Sequence, residues 1–296
     1  MTSHQSDGAR AGRGIAITRH QSELGRWELA RARPASSLRP FVREYVGWNE
    51  RCAAPLCRRE LPTEVAPLII NFGDAFQLFT PGTARRASAL RSFVTGAYDT
   101  YQLVESAGSS GGVQVNFTLL GMRRLVGRPI EDMTNRALAP EDVLGPFAHD
   151  LIARVHEATE WDARFDCLDR ALMTRIAAAR PLPGAVDHAW QRIVASEGRL
   201  TIGTLVDEVG WSQGHFIRRF RHELGVSPKV LARMLRFGRV LHALRRDPRT
   251  DLLDVALDAG YYDQSHLTRD VRAFAGITPG ALVRSQLADG GLSVQP

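Results

Sequence analysis

Lysine is almost missing from this chain: Lys229 is the only one among 38 basic residues, and the others are arginine. With abundant Ala and Gly, that imbalance fits a GC-rich coding sequence, and we give it little functional weight. Cysteine is nearly as scarce. Cys52, Cys57 and Cys167 are odd in number and lack C-x-x-C spacing, which excludes a disulfide framework and a cysteine-based zinc site. Three free thiols suit a reducing compartment. No run approaches the ~18 apolar residues of a membrane span. The opening "MTSHQSDGARAGRGIAITRHQ" has no apolar stretch of the kind a secretion signal needs. The expectation is a soluble cytoplasmic protein that does not engage a membrane.

Motifs of catalysis are also lacking. Glu60, Glu64, Asp74 and His149 do not have metal-ligand spacing, and "GSSGG" at Gly108–Gly112 reads as a loop without the pattern that cradles phosphate. We expect no catalytic residue, no metal and no cofactor. "CAAPLC" reads as ordinary sulfur rather than a redox switch.

The 296 residues allow two domains of ordinary size. Residues 1–23 are rich in Gly, Ser and Arg, and read as a disordered tail. From about Trp27 to Thr118 the texture is strand-like, as in "PLIINFGDAFQLF" and "SFVTGAYDTYQLVE". Val113, Val115 and Phe117 alternate with Gln114, Asn116 and Thr118, the pattern of a half-buried strand. After Leu119 the period becomes helical. "EDVLGPFAHDLIARVHEA" and "ARFDCLDRALMTRIAAAR" read as two amphipathic helices of three to four turns. "PLPG" at Pro181–Gly184 breaks the chain, so the expected domains are 24–182 and 185–296.

Past that break the pattern repeats at an offset of 51 residues. His215-Phe216-Ile217-Arg218 aligns with His266-Leu267-Thr268-Arg269, and Gly225-Val226-Ser227-Pro228 with Gly276-Ile277-Thr278-Pro279. Each copy, about 202–224 and 252–275, reads as a helix-turn-helix. Gly210 and Gly260 end the first helices, where a left-handed residue costs glycine nothing. Ser212 and Asp263 cap the second helices. Phe216, Phe220 and Leu224 recur at spacing four as one buried face, and Leu267, Val271 and Phe274 serve the second copy. Between the copies, "PKVLARMLRFGRVLHALRR" starts with Pro at the first helical position. About 18 residues at ~1.5 Å each give roughly 27 Å, which suits two helices entering major-groove segments about one turn apart. From Trp211 to Arg249 ten basic residues face two acids, Glu223 and Asp247, a net of +8 against +6 for the whole chain. Phosphate neutralisation requires such a concentration.

The repeat, with "GWSQGHFIRRFRHELGVSPK" and "GYYDQSHLTRDVRAFAGITP", resembles the DNA-binding domain of AraC/XylS-type bacterial transcription regulators over about Val186 to Arg284. The resemblance implies an α+β chain: a cupin-like β-rich sensor domain with flanking helices, then an all-α domain of two helix-turn-helix units joined by a linker helix. It implies double-stranded DNA as partner, read in two successive major-groove segments. Further candidate partners are RNA polymerase, a small-molecule effector and a second copy of the chain.

The family's base-reading positions fall on Gln213, Gly214, Ile217 and Arg218 in the first unit, with Arg221 toward phosphate. In the second they fall on Gln264, Ser265, Thr268 and Arg269, with Arg272 toward phosphate. Arg can bond guanine bidentately, Gln can bond adenine, and a methyl-bearing side chain can meet thymine. Gly214 has no side chain to read with, and Val271, Leu282 and Asp270 depart from the family's pattern.

The leading expectation is therefore a ligand-responsive transcription regulator, not an enzyme. Two alternatives remain: a first half that only dimerises or binds protein, and an enzyme with a DNA-binding appendage. Phe72, Phe76, Phe79, Tyr98 and Tyr101 are candidates for lining a ligand pocket, and the helices of 143–179 for passing its signal.

Overall fold

The computed structural model describes residues 14–22, 25–79, 86–247, 250–285 and 292–293. Two antiparallel sheets face each other. The larger runs β1 (Ala16–Ser22), β2 (Gly25–Ala32), β3 (Val42–Cys52), β10 (Ser109–Thr118), β5 (Val65–Asn71), β8 (Phe93–Thr95) and β11 (Ala137–Leu138). The smaller runs β12 (Leu292–Ser293), β4 (Leu56–Glu60), β9 (Gln102–Ser106), β6 (Phe76–Phe79) and β7 (Arg86–Leu90).

The alternation in β10 decides how these layers are used. Val113, Val115 and Phe117 are fully buried on the face away from the second sheet, with Tyr45, Leu68 and Ile70 beside them. Helices cover that face: α1 (Leu119–Val126), α2 (Pro140–Leu144), α3 (Pro146–Glu157) and α4 (Trp161–Ala177). Tyr45 stacks on Phe165 at 5.5 Å and donates its hydroxyl proton to Asp169 at 2.7 Å. Trp161 lies so close over Gly47 that a Cβ there would stand only 2.4 Å from its ring. Gln114 and Asn116, on the opposite face, turn into the space between the sheets.

Three sequence expectations need correction. Ala16–Ser22, placed in a disordered tail, forms β1 and pairs with β2 from Ala16↔Arg31 to Ser22↔Gly25. Its side chains are mostly exposed, but its backbone completes a hairpin and Ile15 and Ile17 pack on the core, which average composition does not show. Residues 1–13 lie outside the described residues. The single helix expected over "EDVLGPFAHDLIARVHEA" is two, α2 and α3. Gly145 between them has φ +63°, and Pro146 lacks the N–H that would continue the first helix. Finally, the chain end returns as β12 and pairs with β4 through Leu292↔Arg59 and Ser293↔Arg58, so the second half is not wholly α.

The second half otherwise consists of α5 (Gly184–Ala195), α6 (Ile202–Val209), α7 (Gln213–Leu224), α8 (Pro228–Arg246), α9 (Leu252–Asp258), α10 (Gln264–Ala275) and α11 (Pro279–Arg284). The segment carrying Pro181–Gly184 separates α4 from α5, and there we propose that the domains 24–182 and 185–296 meet. One connected apolar core extends from Ala30 to Leu282 and so includes side chains of both halves. A second, small cluster of Ile69, Phe76, Leu78 and Phe93 lies between the sheets.

Candidate nucleic-acid interface and the cavity behind it

Each of the two units is built from the same local devices. Thr201 caps α6, and Gly210 at φ +70° ends it. Ser212 Oγ then accepts from the His215 N–H, starting α7, which Gly225 ends at φ +81°. In the second unit Asp251 caps α9, Gly260 turns the chain at φ +88°, and Asp263 accepts from the His266 N–H at 2.6 Å to start α10. A turn aromatic meets the histidine edge-on in both: Trp211 with His215 at 4.7 Å, Tyr261 with His266 at 5.0 Å. The histidines therefore pack on the turns. Tyr262, the neighbour of Tyr261, is 87% exposed and packs on nothing comparable.

Burial divides each recognition helix into two faces. Phe216, Phe220 and Leu224 of α7 and Leu267, Val271 and Phe274 of α10 are buried. Gln213, Gly214, Arg218 and Arg221 are exposed on α7, as are Gln264, Ser265, Arg269 and Arg272 on α10, while Ile217 and Thr268 are half-buried at the edge. The residues at the family's base-reading and phosphate positions thus share one accessible side of each helix. A helix with a packed apolar face and an accessible Gln/Arg face can present those groups to base edges.

Asp270, a departure from the family's pattern, is buried and receives Arg233 of α8 through Nε at 3.0 Å and a terminal nitrogen at 2.8 Å. Arg233 also lies over the Phe274 ring at 4.7 Å. This pair fixes α10 on the linker helix.

Residues 205–285 match the family described as a helix-turn-helix domain. Residues 205–285 are a helix-turn-helix domain of the AraC type. Residues 30–139 match a domain of unknown function, DUF6597. Among solved structures, ToxT from Vibrio cholerae is similar at TM-score 0.45 and 10% identity, over 78% of this chain and 93% of that one. The AraC-like transcriptional activator CuxR is similar at TM-score 0.32 and 15% identity, over 74% and 81%. The C-terminal domain of AraT, a response regulator from Geobacillus stearothermophilus, is similar at TM-score 0.34 and 21% identity, over 36% and 90%. No curated protein matches the chain.

The AraC-type domain is gripped by the first half at contacts that sequence spacing did not suggest. Arg123 of α1 donates to Glu223 of α7 at 2.8 Å, both buried, and Arg219 reaches the other oxygen at 3.1 Å. Thr134 donates to the Gly225 carbonyl at 2.7 Å. Arg221 lies 3.1 Å from Glu131, on the short 3-10 turn Glu131–Met133. At the second unit Arg59 of β4 donates to the Ala275 carbonyl and stacks over Tyr101 at 4.3 Å, with Tyr101 pressed on Gly276. The first half thereby holds the C-terminal ends of both recognition helices.

A cavity of about 1170 Å³ runs from between the sheets to α8, whose Leu235, Gly238, Arg239 and His242 form its far wall. That size is at or above the upper end of small-molecule pockets, roughly 300–1,000 Å³. Of the five aromatics picked out from sequence, Phe76 and Tyr98 line it. Phe72 instead meets His156 at 4.8 Å and Arg164 at 4.3 Å, Tyr101 is the Arg59 contact, and Phe79 does not line the cavity. Among the described residues no three His, Cys, Asp or Glu side chains gather as metal ligands would, and no helix is long and apolar enough to cross a membrane.

Proposed function

We propose that this chain is a sequence-specific transcription regulator whose first half sets the DNA affinity of its AraC-type domain in response to a small molecule. The carrying observation is that the wall of the first half's cavity includes α8, the helix that joins the two recognition units. A molecule held there touches the reader directly. Signal transfer through α3 and α4 is then unnecessary, because those helices cover the opposite face of the larger sheet.

In this reading Gln213, Ile217 and Arg218 read one major-groove segment and Gln264, Ser265, Thr268 and Arg269 the next. Arg221 and Arg272 hold phosphate, and the Gly214 backbone allows close approach. A ligand regulates only to the extent that it binds one conformational state better than another, and a tenfold change in DNA affinity needs about 1.4 kcal/mol of coupling. The grip on α7 and α10 supplies two states to bias: held, with Arg221 on Glu131, and released, with Arg221 on phosphate. RNA polymerase and a second copy of the chain are further partners in this reading, in a cytoplasmic setting. The test is genome-wide footprinting of the intact protein, followed by titration of the recovered DNA site. Absence of any enriched site contradicts the proposal.

A further inference from the structure

The chemistry of the cavity wall narrows what it takes, and this step rests on the regulatory reading above. Two ion pairs line the space between the sheets, Arg31–Glu44 half-exposed and Arg58–Glu50 largely enclosed. Arg31 donates to Glu44 at 3.2 Å, and Asn116 donates to the same carboxylate at 3.1 Å, itself receiving Gln114 at 2.7 Å. Arg58 donates to Glu50, which also accepts from Ser110 at 2.9 Å, while Trp48 Nε1 donates to Ser110. Glu50 of this pair is buried and Arg58 largely so. Placed against these pairs, an anion would have to displace a carboxylate and a cation an arginine. Arg43, His242 and Arg246 stand at the exposed rim, where water and salt screen them, and the half-buried Glu64 stands beside Gly238 at the α8 wall.

The fully buried groups left over are neutral donors. Trp27 Nε1, Thr95 Oγ1 and Gln102 Nε2 belong to buried side chains of the cavity wall, and none has a hydrogen-bond partner. An indole N–H and an amide NH2 only donate, and a threonine hydroxyl also donates. A buried donor left unpaired forfeits its hydration, so an acceptor brought to it recovers what burial cost. Beside them stand aromatic rings: Trp48 lies 6.5 Å from Phe76, which meets Phe93 edge-on at 6.1 Å. Such a wall suits a flat ring.

We infer that the cavity binds an uncharged aromatic molecule bearing hydrogen-bond-accepting oxygen, a carbonyl or ring ester, which Thr95 and Gln102 engage while Trp48, Phe76 and Phe93 hold its ring.

Coumarin, a neutral aromatic ring ester, is a direct probe, and coumarin-3-carboxylate is its charged counterpart. Isothermal titration of the full-length protein should show saturable coumarin binding, at least tenfold tighter than the carboxylate. Thr95→Val and Gln102→Leu should each weaken coumarin at least tenfold, whereas Thr95→Ser, which keeps the hydroxyl, should stay within about threefold of the parent. Circular dichroism checks that each variant is folded, and Thr95→Ser keeps the test open if Thr95→Val is not. Equal or tighter binding of the carboxylate, coumarin binding indifferent to both substitutions, or no saturable heat overturns the inference. DNA retention by the same preparation without coumarin separates the two claims. DNA bound without coumarin heat overturns the ligand class alone, and no DNA bound overturns the regulatory reading.

Discussion

Arg123 and Glu223, one hundred residues apart in sequence, form a buried ion pair that joins helix α1 to the first recognition helix at 2.8 Å. Removing one partner of such a pair leaves a charge in a medium that cannot solvate it, at a cost of roughly 3–5 kcal/mol. Arg219 remains on the other Glu223 oxygen, so the low end applies. Arg123→Met should lower the stability of the full chain by about 3 kcal/mol in urea unfolding. Combining it with Glu223→Leu should restore much of the loss, because the stranded carboxylate is gone. A double variant no more stable than Arg123→Met would show that no stranded carboxylate is relieved, against this account.

In the proposed reading Glu131 competes with DNA for Arg221. The pair is half-exposed, and exposed pairs contribute about 0.2–1 kcal/mol. Glu131→Gln should therefore tighten DNA binding by up to about fivefold, while Arg221→Ala should weaken it for all sequences and reduce the log–log salt slope by about 0.9. Fluorescence anisotropy at several salt concentrations measures both. Unchanged affinity in Glu131→Gln would place Arg221 away from phosphate.

The recognition helices were legible in sequence because their signals are local. Ser212 and Asp263 cap, Gly210 and Gly260 end the helices before them, and the spacing of Phe216, Phe220 and Leu224 fixes a buried side without reference to any other segment. The pair of facing sheets was less legible. The period of two in β10 separates Val113 from Gln114 but does not tell which face meets helices and which meets a cavity; that follows from pairing with β3 and β5. Only the fold brings Arg123 to Glu223 or Arg59 to Ala275. β1 was missed because a strand held mainly by backbone pairing leaves little apolar pattern. The break at Gly145-Pro146, by contrast, was readable from the residues themselves.

Acid should loosen the joint between α5 and α6. Glu208 accepts from Arg192 at 2.7 and 3.0 Å and contacts His188 at 2.8 Å. The Arg192 hydrogen bonds first, and His188 next, hold its carboxyl at about 2 rather than the ordinary 4.5. A depressed acid pKa contributes stability that is fully present above about 4.5 and is lost as pH falls through about 2. Carbon-detected NMR of the Glu208 carboxyl should show the low midpoint, moving toward 4.5 in Arg192→Ala. An ordinary midpoint in the parent protein would remove this contact from the account.

Base selection from a randomised DNA pool, by the intact protein and by Arg218→Ala and Arg269→Ala, tests the central claim most directly. If α7 and α10 read successive major-groove segments, each substitution should relax preference at its own position, by on the order of 1–3 kcal/mol. The two relaxed positions should lie about one helical turn, ~34 Å, apart. Relaxation at one shared position, or selected profiles identical to that of the parent, would contradict the account.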